Sequence, residues 1–196
     1  MMADRVRERF WNVPNSLTMS RLVMAFAVFA LIAQAYYLSA LVIFALAGLT
    51  DALDGYFARL LGQSTTIGRQ LDPLVDKVIV SGGFIYLLTV DGTGLAPWMV
   101  TTIIVRELLI QGLRSHLEGR GEAFGARSAG KWKTLVQCLA ISAILLCLAL
   151  KPPHPTLLVT RDVLNWLSVA LTLYSGLIYI AVALPMLRSD APPPSP

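Results

Sequence analysis

Apolar residues along this chain come in long runs rather than on one stripe of a helix or at alternate positions of a strand. In the clearest run, from Leu135 to Leu150, only Gln137, Cys138, Ser142 and Cys147 break the apolar pattern. A helix at the surface of a soluble bundle keeps a polar face, and this stretch has none. Six such runs predict helices at about 17–35, 38–61, 73–90, 95–117, 131–150 and 161–186. Each is close to the roughly 20 residues needed to cross a bilayer's hydrocarbon core. The predicted fold class is therefore all-α, a polytopic membrane protein with six transmembrane helices in one domain over 1–188.

Outside the runs, residues 4–10 mix Arg5, Arg7 and Arg9 with acidic and apolar neighbours, which predicts a short amphipathic helix on the membrane surface. The Pro-rich tail at 189–196 predicts disorder. Asp72-Pro73 reads as a helix start, with proline at the first helical position.

Composition agrees with a membrane class: 56% of residues are hydrophobic and 14% charged, against about a quarter charged in soluble domains. Charge then sets the orientation. Alternating spans leave only Lys151 and Arg161, of 16 Lys and Arg, on one side. The positive-inside rule makes the other side, with both termini, cytoplasmic. Trp11, Trp98, Trp132 and Trp166 fall near span ends, as an interfacial belt requires. Cys138 and Cys147, nine apart and in no CxxC pattern, read as small packing residues.

Acidic residues are expensive inside membrane spans and point to function. Four gather at one cytoplasmic-side junction: Asp51 and Asp54 at the end of the second run, Asp72 and Asp76 at the start of the third. Spacings of three and four place each pair on one helix face. Consecutive antiparallel helices allow the pairs to converge. Four close carboxylates cannot all stay ionised without cations. With no His or Cys nearby, the oxygen ligands favour a hard divalent ion, Mg²⁺ or Mn²⁺. Gly55 and Ala58 leave the helix face open to a ligand, and Arg59 offers a fork for phosphate.

Asp51, Asp54, Gly55, Ala58, Arg59, then eight residues, then Gly68, Asp72 and Asp76 together resemble the signature of the CDP-alcohol phosphatidyltransferase family. Every fixed position matches, and the family's six-helix architecture covers the whole chain. The resemblance implies that Asp51, Asp54, Asp72 and Asp76 bind metal at the pyrophosphate of CDP-diacylglycerol, with Asp76 as general base. It implies contacts from Asn15, Thr18, Gly55, Ala58, Arg59 and Thr65 to that donor. It also implies a homodimer among membrane lipids, with no nucleic-acid partner, in a bacterial inner membrane.

The acceptor alcohol is read from a second polar cluster. Arg106 and Glu107 interrupt the fourth run, and Arg114 follows about two turns later. Lys131 and Lys133 follow the next loop. Converging cations near the metal site suggest a pocket for an acceptor that carries phosphate. Arg106, Arg114 and Lys131 are the candidates, with Glu107 orienting or neutralising Arg106. The positive-inside rule accounts for Arg120, Arg127 and Lys133. The segments around Asn12 to Arg21, Val105 to Arg114 and Gly130 to Thr134 resemble the branch of the family that uses sn-glycerol 3-phosphate. Branches using phosphatidylglycerol or inositol phosphate are the alternatives, and a cation channel is a remote one, since its acids would spread across the bilayer. His116 and His154 receive no role. Asp91, Glu118, Glu122, Asp162 and Asp190 read as solvated loop acids.

Overall fold

The computed structural model of the protein describes residues 13–61, 66–119 and 128–188, and for some of these, including 13–17, 51–61 and 66–73, the backbone alone. The amphipathic helix expected at 4–10 and the tail at 189–196 lie outside the described residues.

Among the described residues the chain forms six helices and no strand: α1 (Val13–Ala33), α2 (Tyr37–Leu61), α3 (Thr66–Leu88), α4 (Pro97–Gly119), α5 (Ser128–Ala149) and α6 (Pro155–Arg188). Local chemistry sets their ends. Pro97 and Pro155 occupy first helical positions, where a missing N–H costs nothing. His154, which the sequence left without a role, caps α6: its Nδ1 accepts the Thr156 N–H at 3.3 Å and its carbonyl accepts the Leu157 N–H at 2.9 Å. At the end of α1 the Tyr36 N–H donates to the Leu31 carbonyl at 2.9 Å, with Ala35 left-handed at φ 62°. This is a Schellman-type close in which alanine holds the place usually given to glycine.

Two helix starts differ from the sequence expectation by more than four residues. α6 starts at Pro155, six residues before 161, so Arg161 and Asp162 lie within it. Asp162 is thus not a free loop acid; it pairs with Arg161 at 2.8 Å. The same arginine donates to the Gly92 carbonyl at 2.5 Å, and Asn165 donates to that of Thr93 at 3.2 Å. These bonds tie α6 to the turn between α3 and α4. α3 starts at Thr66 and runs through Asp72 and Pro73, so that dipeptide does not begin the helix. Ile67, Leu71, Leu74, Val75 and Val78 keep a helical period across the proline, which removes one backbone hydrogen bond but not the apolar face.

α1 packs against α2 and α3, α5 against α2, α3 and α6, and α4 against α3 and α6. The main core gathers Val28, Phe29, Ile32, Phe44, Phe84, Leu87, Ile103, Ile141 and Ile144. A smaller cluster of Ile110, Leu117, Tyr179 and Ala183 joins α4 to α6.

The surface inverts the soluble pattern. Val23 is 69% exposed and Leu108 66%, with Leu109, Val163 and Leu177 also facing outward. Polar side chains turn in instead: Asn165, Ser168, Thr172 and Ser175 form a buried seam on α6. Gln137 of α5 donates to Thr172 Oγ1 at 3.0 Å across that seam. Small and polar residues between helices, with large apolar ones outside, suit a lipid surround. α5 over Trp132–Ala149 and α6 over Pro155–Pro185 are long and apolar enough to cross a membrane. Trp98 and Trp166 touch, with ring centroids 5.6 Å apart, and both are exposed at the end of the bundle marked by Arg161. Trp132 is exposed toward the other end. The cysteines form no disulfide, and Cys147 is buried as a packing residue.

Candidate active site

The site begins at the contact of α1 with α3. Arg21, in the third turn of α1, is almost wholly buried, and its guanidinium forms an ion pair with Asp76. A buried arginine needs a partner, and the Asp76 carboxylate supplies one from the facing helix. Asp76 itself stays 43% exposed, because its side chain also opens on a cavity.

That cavity, about 580 Å³, lies among α3, α4, α5 and α6. α4 supplies one wall as a polar stripe: Arg106, Glu107, Gln111 and Arg114 recur at helical spacing on one face. Lys77 of α3 donates to Gln111. Glu107 lies at the centre of the cations. Its Oε1 accepts from Arg106 Nη1 at 3.0 Å and from Lys133 of α5. Tyr179 closes the α6 side and accepts a hydrogen bond from Arg114 Nη2 at 3.3 Å.

Charge in the cavity does not balance. Among the described residues, Lys77, Arg106, Arg114 and Lys133 face one carboxylate, Glu107, while Asp76 is already matched by Arg21. Nor are the donors all used. Arg106 Nε and Nη2 and Arg114 Nε are buried with no hydrogen-bond partner. Buried donors without acceptors are costly, and cation excess makes a phosphate the natural complement.

Of the residues singled out from sequence, Asp76, Arg106 and Arg114 meet at this one cavity. Thr18 is buried about one turn before Arg21 on α1. Asp51 and Asp54 fall in the last turns of α2, and Asp72 one turn before Asp76 on α3. Their side chains, with those of Asn15, Ala58, Arg59 and Lys131, lie outside the described ones, as do the surroundings of Gly55 and the whole of Thr65.

Lys133 corrects the sequence reading, which gave it to the positive-inside rule. It is buried and bonded to Glu107. Its neighbour Trp132 points outward at 63% exposure. The signal was present: Lys133 shares a helical spacing with Gln137, Ala140, Ile141 and Ile144, of which the last three are apolar core residues. Tyr179 was missed for want of any such signal. Arg21 was noted only as part of a motif, with no role attached.

Among the described residues six helices, two of them long and apolar enough to cross a membrane, carry an acidic signature and an anion-hungry cavity; this is the frame of the CDP-alcohol phosphatidyltransferases, whose family model matches residues 11–174. The chain belongs to that family, which is generally dependent on a divalent metal. Among its relatives is the CDP-diacylglycerol–glycerol-3-phosphate 3-phosphatidyltransferase of Bacillus subtilis, 37% identical over 193 residues that cover 87% of this chain and 94% of the relative. The enzyme of that name from Pseudomonas fluorescens is 30% identical over 182 residues, 91% of this chain and 93% of the relative. A probable phosphatidylglycerophosphate synthase of Mycobacterium tuberculosis is 37% identical over 186 residues, 91% of this chain and 84% of the relative.

Proposed function

We propose that this chain transfers the phosphatidyl group of CDP-diacylglycerol to sn-glycerol 3-phosphate, yielding phosphatidylglycerophosphate and CMP. The relatives' names agree on donor, acceptor and reaction. The observation that carries the acceptor is the uncompensated cationic cavity beside Asp76, with three guanidinium nitrogens buried and unpartnered. An alcohol without phosphate gives those groups nothing to bind.

The chemistry assigns few tasks to side chains, as phosphoryl-type transfer does generally. Arg106 and Arg114 hold the acceptor phosphate, with Lys131 as a third candidate and Lys133 now added. Asp76, oriented by Arg21, takes the proton of the acceptor hydroxyl as its oxygen attacks the phosphorus bearing diacylglycerol. The bond from that phosphorus to the CMP oxygen breaks, and CMP leaves. Asn15, Thr18, Gly55, Ala58, Arg59 and Thr65 are the donor-binding candidates.

A partly exposed Asp76 carboxylate, with Asp72 one turn earlier, is a hard oxygen donor set and fits Mg²⁺ or Mn²⁺. Asp51 and Asp54 complete the candidate ligands. A metal there supplies charge neutralisation at the pyrophosphate.

The same reading takes all six helices as spans, since each has at least 21 residues and about 20 suffice. It places the site at the cytoplasmic face of a bacterial inner membrane, in a homodimer. The donor's acyl chains then stay in lipid while its head group meets the soluble acceptor.

The test is CMP release by purified protein in detergent with CDP-diacylglycerol and Mg²⁺. sn-Glycerol 3-phosphate, inositol phosphate and phosphatidylglycerol are offered one at a time. Release with glycerol 3-phosphate alone, abolished by chelator and restored by Mg²⁺, is the expected result. Release with another acceptor overturns the substrate assignment.

A further inference from the structure

Tyr179 is only 3% exposed in α6, and its side chain meets both arginines of the cavity. Arg106 Cζ stands 5.5 Å from the ring centroid and Arg114 Cζ 5.8 Å. Its hydroxyl also accepts from Arg114 Nη2. The two arginines lie eight residues apart, about two turns of α4. Two guanidinium groups repel, and long side chains at that spacing are free to diverge. A single ring drawing both by its electron-rich face opposes that divergence.

The packing around the tyrosine is fitted to this arrangement. A Cβ built on Gly176, about one turn earlier on α6, lies 3.2 Å from Arg106 Cγ, so glycine leaves the lane that the arginine stem occupies. A Cβ on Gly130 of α5 lies 3.3 Å from the Tyr179 hydroxyl oxygen. The arginines are thus held at one wall while their unpartnered nitrogens remain available. A tyrosine serving packing alone has no need of its hydroxyl bond or of two cations over its ring.

We propose that Tyr179 is a positioning residue for the acceptor: ring and hydroxyl hold Arg106 and Arg114 in the arrangement that receives the phosphate of sn-glycerol 3-phosphate. This rests on the acceptor reading given above. Tyr179 touches no reacting atom. It sets the conformational cost of phosphate binding, so its loss weakens acceptor binding and leaves donor binding alone.

The experiment compares wild type, Tyr179→Phe and Tyr179→Leu by initial rates of CMP release, varying each substrate in turn. Losing the ring interactions raises the acceptor KM of the Leu variant about tenfold. The Phe variant, which keeps the ring, falls between it and wild type, at about threefold. The donor KM stays within about twofold in both, a split that a general packing defect does not produce. An unchanged acceptor KM, or equal rises for both substrates, overturns the proposal. If the Leu variant does not accumulate, the Phe variant decides alone: a raised acceptor KM supports the role and an unchanged one removes it. Wild type inactive with every phosphate-bearing acceptor sinks the functional reading itself. Wild type active with glycerol 3-phosphate and variants indifferent to it sinks only Tyr179.

Discussion

Lys133 of α5 and Glu107 of α4 form a buried ion pair, and Arg106 shares the same carboxylate oxygen. Two cations from two helices thus depend on one acid. Removing one partner of a buried pair leaves a charge with no solvation and costs about 3–5 kcal/mol. Glu107→Ala should therefore lower the thermal midpoint in detergent sharply. Glu107→Leu combined with Lys133→Met should recover only part of that stability, since it removes the unpaired lysine but still leaves Arg106 without its acid, and acceptor use should remain impaired. A Glu107→Ala protein as stable as wild type would show that the pair contributes nothing.

Asp76 is held by Arg21 from the neighbouring helix, so its carboxylate is oriented. Asp76→Asn retains the shape and a hydrogen-bond acceptor for Arg21 but cannot take a proton. On the roles proposed for Asp76, loss of the general base lowers the rate by about 10²–10⁴, with the loss of a metal-ligand oxygen added to it. The variant should elute like wild type in size exclusion, with a lowered melting point because buried Arg21 loses its counter-charge. Turnover within tenfold of wild type would remove Asp76 from the base role.

Much of this was readable in the sequence where the physics is local. Continuous apolar runs sufficed for the helices, because backbone hydrogen bonds must close within each segment in lipid. The pair Arg106 and Glu107 stood out because charges inside such runs are costly. Helix starts were less legible: α3 carries through Pro73 because the apolar face persists across it, and α6 begins early because Pro155 and the His154 cap form a start that hydropathy does not measure. Lys133 was passed over because charge near a loop is common, while its spacing to Gln137 and Ile141 carried the better signal. Tyr179 was invisible, since its meaning comes from two arginines on another helix. Asn165 and Arg161 were equally silent, because tying a turn to a distant helix is a tertiary fact.

Arg106 has one guanidinium nitrogen on Glu107 and two buried without partners. Hydrogen bonds to charged groups are worth about 1.5–3 kcal/mol, so Arg106→Ala should raise the acceptor KM on the order of tenfold to a hundredfold. The donor KM should change little. Arg106→Lys should not restore wild-type behaviour, because an ammonium cannot present two parallel donors while bonding Glu107. A lysine variant equal to wild type would replace planar recognition with simple charge attraction.

The last prediction concerns the contact that aligns Arg21 with Asp76. Gly82 of α3 faces the ring of Phe29 in α1, and a Cβ built there falls 2.2 Å from Phe29 Cζ and 2.8 Å from both Cε atoms. The ring has little room to retreat, since Phe29 is buried and stacks on Tyr86 at 5.0 Å, with 7° between the planes. Helix propensity alone favours alanine over glycine by about 1 kcal/mol. Overpacking of a filled core costs about 1–3 kcal/mol, so Gly82→Ala should be a net loss or at best neutral in melting experiments. Adding Phe29→Leu should relieve the clash and reveal the alanine's propensity gain. Gly83→Ala should be milder, because its Cβ meets only the flexible Ile141 Cδ1, at 3.3 Å. Arg21 lies two turns before Phe29, and Asp76 less than two turns before Gly82. Any spreading of α1 from α3 therefore strains the ion pair, and Gly82→Ala should lose turnover that Phe29→Leu restores. Gly82→Ala more stable than wild type, with activity intact, would mean that the two helices do not pack this closely.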